Sequence, residues 1–170
     1  MKHDRRRVAV TGFGVVSPAG PGLAPLWQAV LESRSLIAAL SRFDASSYAC
    51  NVAGEIPDHV FDDFVHPKKR RNSTRVTRLS LAAAQLALHD ARFPDHLYPH
   101  DRRGVFVGTA LGGWHEGGQQ FGMLLERGAR RVNPFVANSA PHFAPGVEIA
   151  AAVGAQGPQL TFANGCPAGL

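Results

Sequence analysis

Within residues 74–92 the apolar positions Val76, Leu79, Ala83, Leu86 and Ala87 return every three or four residues, which places them on one face of an amphipathic helix. Ser73 or Thr74 is available to cap its start. Leu26, Trp27, Val30 and Leu31 carry the same period and predict a second helix. Residues 116–127 predict a third, in spite of Gly117, Gly118 and Gly122, and residues 147–153 a fourth. Between the helices lie short apolar runs closed by glycine. Arg7-Val8-Ala9-Val10-Thr11-Gly12-Phe13-Gly14 and Gly104-Val105-Phe106-Val107-Gly108-Thr109 both read as buried strands entering tight loops. Leu160-Thr161-Phe162 reads as another, introduced by the turn Gly157-Pro158, and residues 52–56 as a short strand bounded by Pro57. Residues 58–71 are mixed, with short helical turns, and residues 133–138 form a loop or a single turn. Strands alternating with helices predict an α/β layer with a mainly parallel sheet.

Composition adds bounds to this picture. The 170 residues, 45% apolar and 18% charged, suit one globular domain with its own core. No apolar stretch approaches the roughly 18 residues of a membrane span, and Met1-Lys2-His3-Asp4-Arg5-Arg6-Arg7 leads into a strand-like run instead of a secretory core, so a cytoplasmic protein is expected. Cys50 and Cys166 make no metal pattern and read as free thiols, Cys50 as a small, partly buried apolar residue. The net charge of +5 is concentrated in Arg5 to Arg7 and in Pro67-Lys68-Lys69-Arg70-Arg71. Neither cluster is interleaved with aromatics, which argues against nucleic acid and for a solvated surface or a seat for an acidic protein.

The candidate chemistry sits at the end of the chain. Leu160-Thr161-Phe162 runs into Gly165, which permits a sharp turn, and Pro167 suits the first position of a helix. Cys166 lies between them, as the thiol of a nucleophile elbow facing a helix start, where positive charge favours thiolate. Two rival motifs fail on their residues. Val10-Thr11-Gly12-Phe13-Gly14 has Ser17 and Pro18 where a dinucleotide fingerprint needs its third glycine. Gly108-Thr109-Ala110-Leu111-Gly112-Gly113 lacks the Lys-Ser/Thr ending of a phosphate loop, so its glycines serve close backbone approach. Among the eight histidines, His115 and His142 lie near loops where a partner for the thiol would stand, yet spacing alone nominates neither.

In order and at matching spacings, several segments resemble the β-ketoacyl-acyl-carrier-protein synthases, the condensing enzymes of fatty-acid and polyketide biosynthesis. They are the opening run through Gly14-Val15-Val16-Ser17-Pro18-Ala19-Gly20, Arg42-Phe43-Asp44 with Tyr48, Val52-Ala53-Gly54, residues 104–113, Asn133-Pro134-Phe135 and Gly154-Ala155-Gln156-Gly157-Pro158. The resemblance implies a thiolase-like α/β fold, of which residues 1–170 would be the N-terminal domain, ending just after the elbow within an incomplete first half. It also implies Cys166 as the acyl-accepting catalytic residue, with its backbone N–H as an oxyanion donor. Leu111 falls where the family gates the acyl pocket, and Phe135 where a partner subunit contributes to it. No bound cofactor or metal is implied, since the substrates ride on the phosphopantetheine of acyl carrier protein. Partners would be that carrier and a second subunit, in a homodimer or heterodimer. The chain departs from the family in the Gly165 and Pro167 that flank the cysteine, and in the proline-rich residues 138–145. The family's two catalytic histidines, its lysine and a gating phenylalanine would lie beyond Leu170, so activity of these residues alone is not expected. Retention of Cys166 favours an acyltransferase over one alternative, a non-catalytic partner subunit, and leaves the other, a truncated inactive remnant, open.

Overall fold

The computed structural model describes residues 7–94 and 97–169, so Arg5 and Arg6 of the first basic cluster, together with His3 and His96, lie outside the described residues. A two-residue hairpin, β1 (Val16–Ser17) with β2 (Gly20–Pro21), leads into helix α1 (Leu23–Leu31). A second small antiparallel ladder joins β3 (Ala38–Ala39) to β4 (Val52–Ala53). Two single-turn helices, α2 (His59–Asp62) and α3 (Pro67–Arg70), precede the long α4 (Arg75–Asp90). Then come β5 (Val105–Gly108), α5 (Trp114–Arg127), the short α6 (Val136–Ser139), α7 (Ala144–Ala152) and β6 (Gln159–Phe162).

The parallel layer expected from the strand–helix alternation is built by β5 and β6, paired from Val105 with Gln159 to Gly108 with Phe162. Helix α7 covers one face of this pair and itself packs against α4. Its close seat depends on Gly146, where an added Cβ would stand 3.3 Å from Gln159 Nε2 and 3.4 Å from Thr161 Oγ1. The opposite face of the strands carries Phe106, Leu160 and Phe162, which are 61%, 52% and 49% exposed.

Helix α4 matches the periodic stretch, but not the side it buries. Thr74, Thr77, Leu81 and Ala82 are buried, whereas Val76, Leu79, Ala83, Leu86 and Ala87 are only partly covered. The two threonines tolerate burial because their hydroxyls bond each other at 3.0 Å. The partly covered side receives the N-terminal segment. Residues 7–15 form no ladder, and Val8 is 92% exposed, so the expected buried strand at 7–14 is instead a segment without regular secondary structure. Gly12 and Gly14 lie directly on the backbone of α4, where an added Cβ would come within 2.6 Å of Ala91 N and of Ala87 N respectively. Their role is close approach to a helix, in keeping with the failure of the dinucleotide fingerprint at Ser17 and Pro18.

Phe61 of α2 is fully buried beneath the guanidinium groups of Arg75 and Arg78, whose carbons stand 4.8 and 5.4 Å from its ring centre. Asp58 gathers Arg42 (2.9 Å), Arg75 and Arg78 (3.6 Å), while Arg78 also bonds Asp62 at 2.7 Å. Burial opposes ionisation of Asp58, but the hydrogen bond from Arg42 and the charges of Arg75, Arg42 and Arg78 outweigh it, holding its carboxyl below the ordinary range. Cys50 is exposed rather than partly buried, because the loop between β3 and β4 turns its Sγ toward the Val52 carbonyl oxygen, 3.6 Å away, at the surface.

Candidate active site at the ends of two parallel strands

In an α/β layer the C-terminal ends of parallel strands are where loops can converge on a ligand. Cys166 and Leu111 both lie there. Leu111 follows the end of β5 by three residues and Cys166 follows the end of its ladder partner β6 by four. Past the ladder, the Thr109 N–H donates to the Phe162 carbonyl at 3.0 Å, so the two loops leave the sheet from a common point.

The Cys166 turn has the form its sequence predicts. Gly165 adopts φ +79°, a conformation that disfavours side chains, and the chain then enters a tight turn over Cys166–Gly169 closed by the Ala168 N–H on the Gly165 carbonyl at 3.1 Å. Pro167 sits inside this turn, where its missing N–H is not needed. The thiol is exposed, and among the described residues no acceptor takes the Cys166 N–H, which leaves it able to bind a developing oxyanion.

The Leu111 loop is pinned from three sides. The Gly112 N–H donates to Thr109 Oγ1 at 3.1 Å, the Gly113 N–H to the Ala140 carbonyl at 3.0 Å, and the Trp114 N–H to the Leu111 carbonyl at 3.2 Å. Gly112, at φ +56°, rests against the backbone of His142. The leucine side chain itself stays largely exposed above this anchored backbone. His142 therefore belongs to the seat of the loop. His115 lines a cavity of about 540 Å³ that the Leu111 loop reaches through Gly112 and that also takes in Arg42, Glu55, Arg75 and Glu116. There the Ser41 hydroxyl and then the Ser41 N–H, bonded to Glu55, hold its carboxyl below the usual range.

Phe135 stands apart from both. Its N–H donates to Asn133 Oδ1 at 3.0 Å, and Asn133 is tied by its own N–H to Gln120 Oε1 at 2.8 Å. The ring is half-exposed and lines a cavity of about 210 Å³ with Lys68, Lys69, Asn72, Ser73 and Glu148. Neither Cys166 nor Leu111 lines it. A wider apolar groove of about 710 Å³, between Phe13, Leu23, Trp27 and Leu86, also includes no residue of the Cys166 turn or the Leu111 loop. The site is thus defined by residues and strand ends, and not by either of these concavities.

The Asp58 cluster was not visible in the sequence reading. Its one local signal is the pair Arg75 and Arg78, three apart on one helix face above the acidic residues of α2. Among the described residues no group of three or more histidine, cysteine, aspartate or glutamate side chains could hold a metal ion, and no helix is long and apolar enough to cross a membrane.

Residues 5–170 match the family described as "Beta-ketoacyl synthase, N-terminal domain". A 3-oxoacyl-[acyl-carrier-protein] synthase 2 from Synechocystis sp. is 34% identical over 98% of the chain, and one from Staphylococcus aureus is 31% identical over the same share. The chain spans 40% of the length of each. Among solved structures, the ishigamide ketosynthase/chain length factor superposes on 94% of the chain with a TM-score of 0.82 at 26% identity, and the chain covers 40% of it. A β-ketoacyl synthase from Burkholderia phymatum superposes on 97% of the chain with a TM-score of 0.78 at 23% identity, the chain covering 41% of it. A further match, at a TM-score of 0.73 and 24% identity over 94% of this chain and 42% of that one, is a type II polyketide-synthase ketosynthase in complex with its acyl-carrier protein. These superpositions establish the thiolase-like fold, in its N-terminal part.

Proposed function

The chain belongs to the β-ketoacyl synthase family, and from that premise we propose that it is the nucleophile-bearing N-terminal domain, residues 1–170, of an acyl-thioester condensing enzyme, a 3-oxoacyl-[acyl-carrier-protein] synthase. The observation that carries this reading is the turn itself: an exposed cysteine directly after a glycine at positive φ, at the end of a parallel strand, with its own N–H free to donate.

In the proposed first half-reaction the Cys166 thiolate attacks the carbonyl carbon of an acyl group held as a thioester on the phosphopantetheine of acyl carrier protein. The carbonyl electron pair moves to oxygen, where the Cys166 N–H helps to stabilise it. Collapse of the tetrahedral species expels the carrier thiolate and leaves the acyl group on Cys166. In the second half-reaction a malonyl thioester loses carbon dioxide, and the resulting carbanion attacks the acyl carbon and releases the thiol. The histidines and lysine required for that step belong to the family's second half. Leu111, above its pinned backbone, is the proposed acyl-pocket gate. Phe135, half-exposed and lining a cavity without Cys166, is the proposed contribution to the pocket of a second subunit, in a homodimer or a heterodimer.

An acidic carrier would be a chemical match for the basic helix α3, where Lys68 is exposed at the surface and Lys69 is paired with Glu148 at 2.7 Å. Condensation of this kind, with no bound cofactor or metal, suits a cytoplasmic setting. The test supplies the family's second half, in cis or as a separate chain, together with an acyl-carrier thioester, and maps the adduct by mass spectrometry. Acylation of Cys166, abolished in Cys166→Ala, is the expected result. An adduct on Cys50, or labelling undiminished in Cys166→Ala, overturns the assignment.

A further inference from the structure

Gly108 is the last residue of β5 and is in register with Phe162, the last residue of β6. A Cβ added to it would overlap the Ala168 carbonyl oxygen and stand 2.6 Å from the Ala168 carbonyl carbon and 3.1 Å from Gly169 N. These are backbone atoms of the Cys166 turn, which cannot swing aside as the tip of a flexible side chain does. Gly108 is not among the residues at positive φ, so space, and not backbone conformation, is what requires glycine here. Gly165 shows the opposite case. Its Cβ would meet nothing, and its φ of +79° sets the requirement.

The thiol is therefore fixed by two independent devices. Ladder pairing through Phe162 sets where β6 ends, and contact of Ala168 with the bare backbone of Gly108 sets how the turn lies against the sheet. We propose that Gly108 is a positioning residue for Cys166, acting through direct backbone contact with the turn that carries the thiol. The proposal deepens the reading of Cys166 as the nucleophile and rests on it for its functional meaning. A side chain at Gly108 displaces the turn and with it the thiol and the N–H that would hold the oxyanion. Displacements on the order of 1 Å are enough to cost about a hundredfold in a reaction that depends on alignment.

A control lies on the same strand pair. At Gly104, just before β5, a Cβ would stand 3.0 Å from the Pro158 carbonyl oxygen, a milder crowding at the end of the strands remote from the turn. Gly104→Ala therefore disturbs the ladder without touching Cys166. The experiment is iodoacetamide alkylation of the full chain, resolved by peptide mapping, with Cys50 as internal reference. In Gly108→Ala the Cys166-to-Cys50 rate ratio is expected to fall about tenfold, and in Gly104→Ala to stay within about twofold. A folded Gly108→Ala protein whose ratio matches that of Gly104→Ala overturns the proposal. If Gly108→Ala does not fold, hydrogen exchange in the unaltered chain decides. The Ala168 amide should be protected to about the degree of the Thr109 amide, and exchange at the rate of a free chain overturns the proposal. Failure of the nucleophile reading is separately visible, because it moves the acyl adduct off Cys166 while leaving the alkylation ratio to report on Gly108.

Discussion

Helix α4 and the strand pair β5–β6 both lie against α7, yet they differ in everything else that surrounds them. The helix is covered by α7 on one side, by α2 with Phe61 on another, and by the segment through Gly12 and Gly14 on a third. The strands have α7 on one face, while the other receives the Cys166 turn at Gly108 and leaves Phe106, Leu160 and Phe162 exposed. The polar groups follow the same division. Around α4 the arginines of the helix are paired with Asp58 and Asp62, whereas the thiol beyond β6 stands exposed. The comparison separates what stabilises this chain from what gives it chemistry. Stability resides in the helix and its ion pairs, and the proposed reactivity in a turn at the end of two short strands.

The largest effect should come from the best-covered residue. Phe61→Ala removes a fully buried ring from beneath two guanidinium groups, and is expected to cost about 3–5 kcal/mol in urea unfolding. A loss below about 1 kcal/mol would show that α2 is not part of the core around α4, and the contrast drawn above would fail at its stronger pole.

A smaller effect is expected from the charge that organises the arginines. Because the Asp58 carboxyl is held below its ordinary value of 3.8 in the folded chain, folding favours its ionised form. The contribution is fully present above that ordinary value and is lost as pH falls through the lower, folded one. With its side chain 41% exposed, solvent screening limits the contribution to roughly 1 kcal/mol. Asp58→Asn should therefore reduce stability by about that amount at neutral pH, and its unfolding curve should converge on that of the unaltered chain as pH falls below the lowered, folded-state value. A deficit that persists unchanged into acid would assign the effect to geometry instead of charge.

How much of this was legible in the sequence depended on how local the cause was. The Cys166 turn was readable because glycine, cysteine and proline act on their own backbone. Helix α4 was readable as a period, with residues 74–92 against Arg75–Asp90. Its buried side was not, since a helix covered on three sides gives no single apolar face, and Thr74 and Thr77 enter the core by bonding each other. The segment through Val8 and Val10 read as a buried strand because its letters favour one, but a ladder needs a partner, and none is supplied among the described residues. The pairing of Arg42 with Asp58 and of Asp58 with Arg75 spans 16 and 17 residues, beyond any local pattern. Leu111 and Cys166 could be placed on one site only through family resemblance, and the register of β5 with β6 then supplied a physical reason for their neighbourhood.

The smallest effect on stability, and the sharpest test of the weaker pole, belongs to the uncovered strand face. Leu160 lies directly across the ladder from Phe106 and shares that face with Phe162, two residues on. Leu160→Thr introduces a β-branched side chain that suits a strand and removes half-exposed apolar surface. Since the leucine is 52% exposed, the change should alter unfolding stability by no more than about 0.5 kcal/mol. Its effect should appear elsewhere. A contiguous apolar face on a two-stranded ladder is a surface for self-association, so light scattering at a given concentration and the binding of an apolar dye should both fall in the variant. If Leu160→Thr instead costs about 2 kcal/mol or more, the side chain is engaged in a core in solution, and the strands are covered on both faces as the helix is.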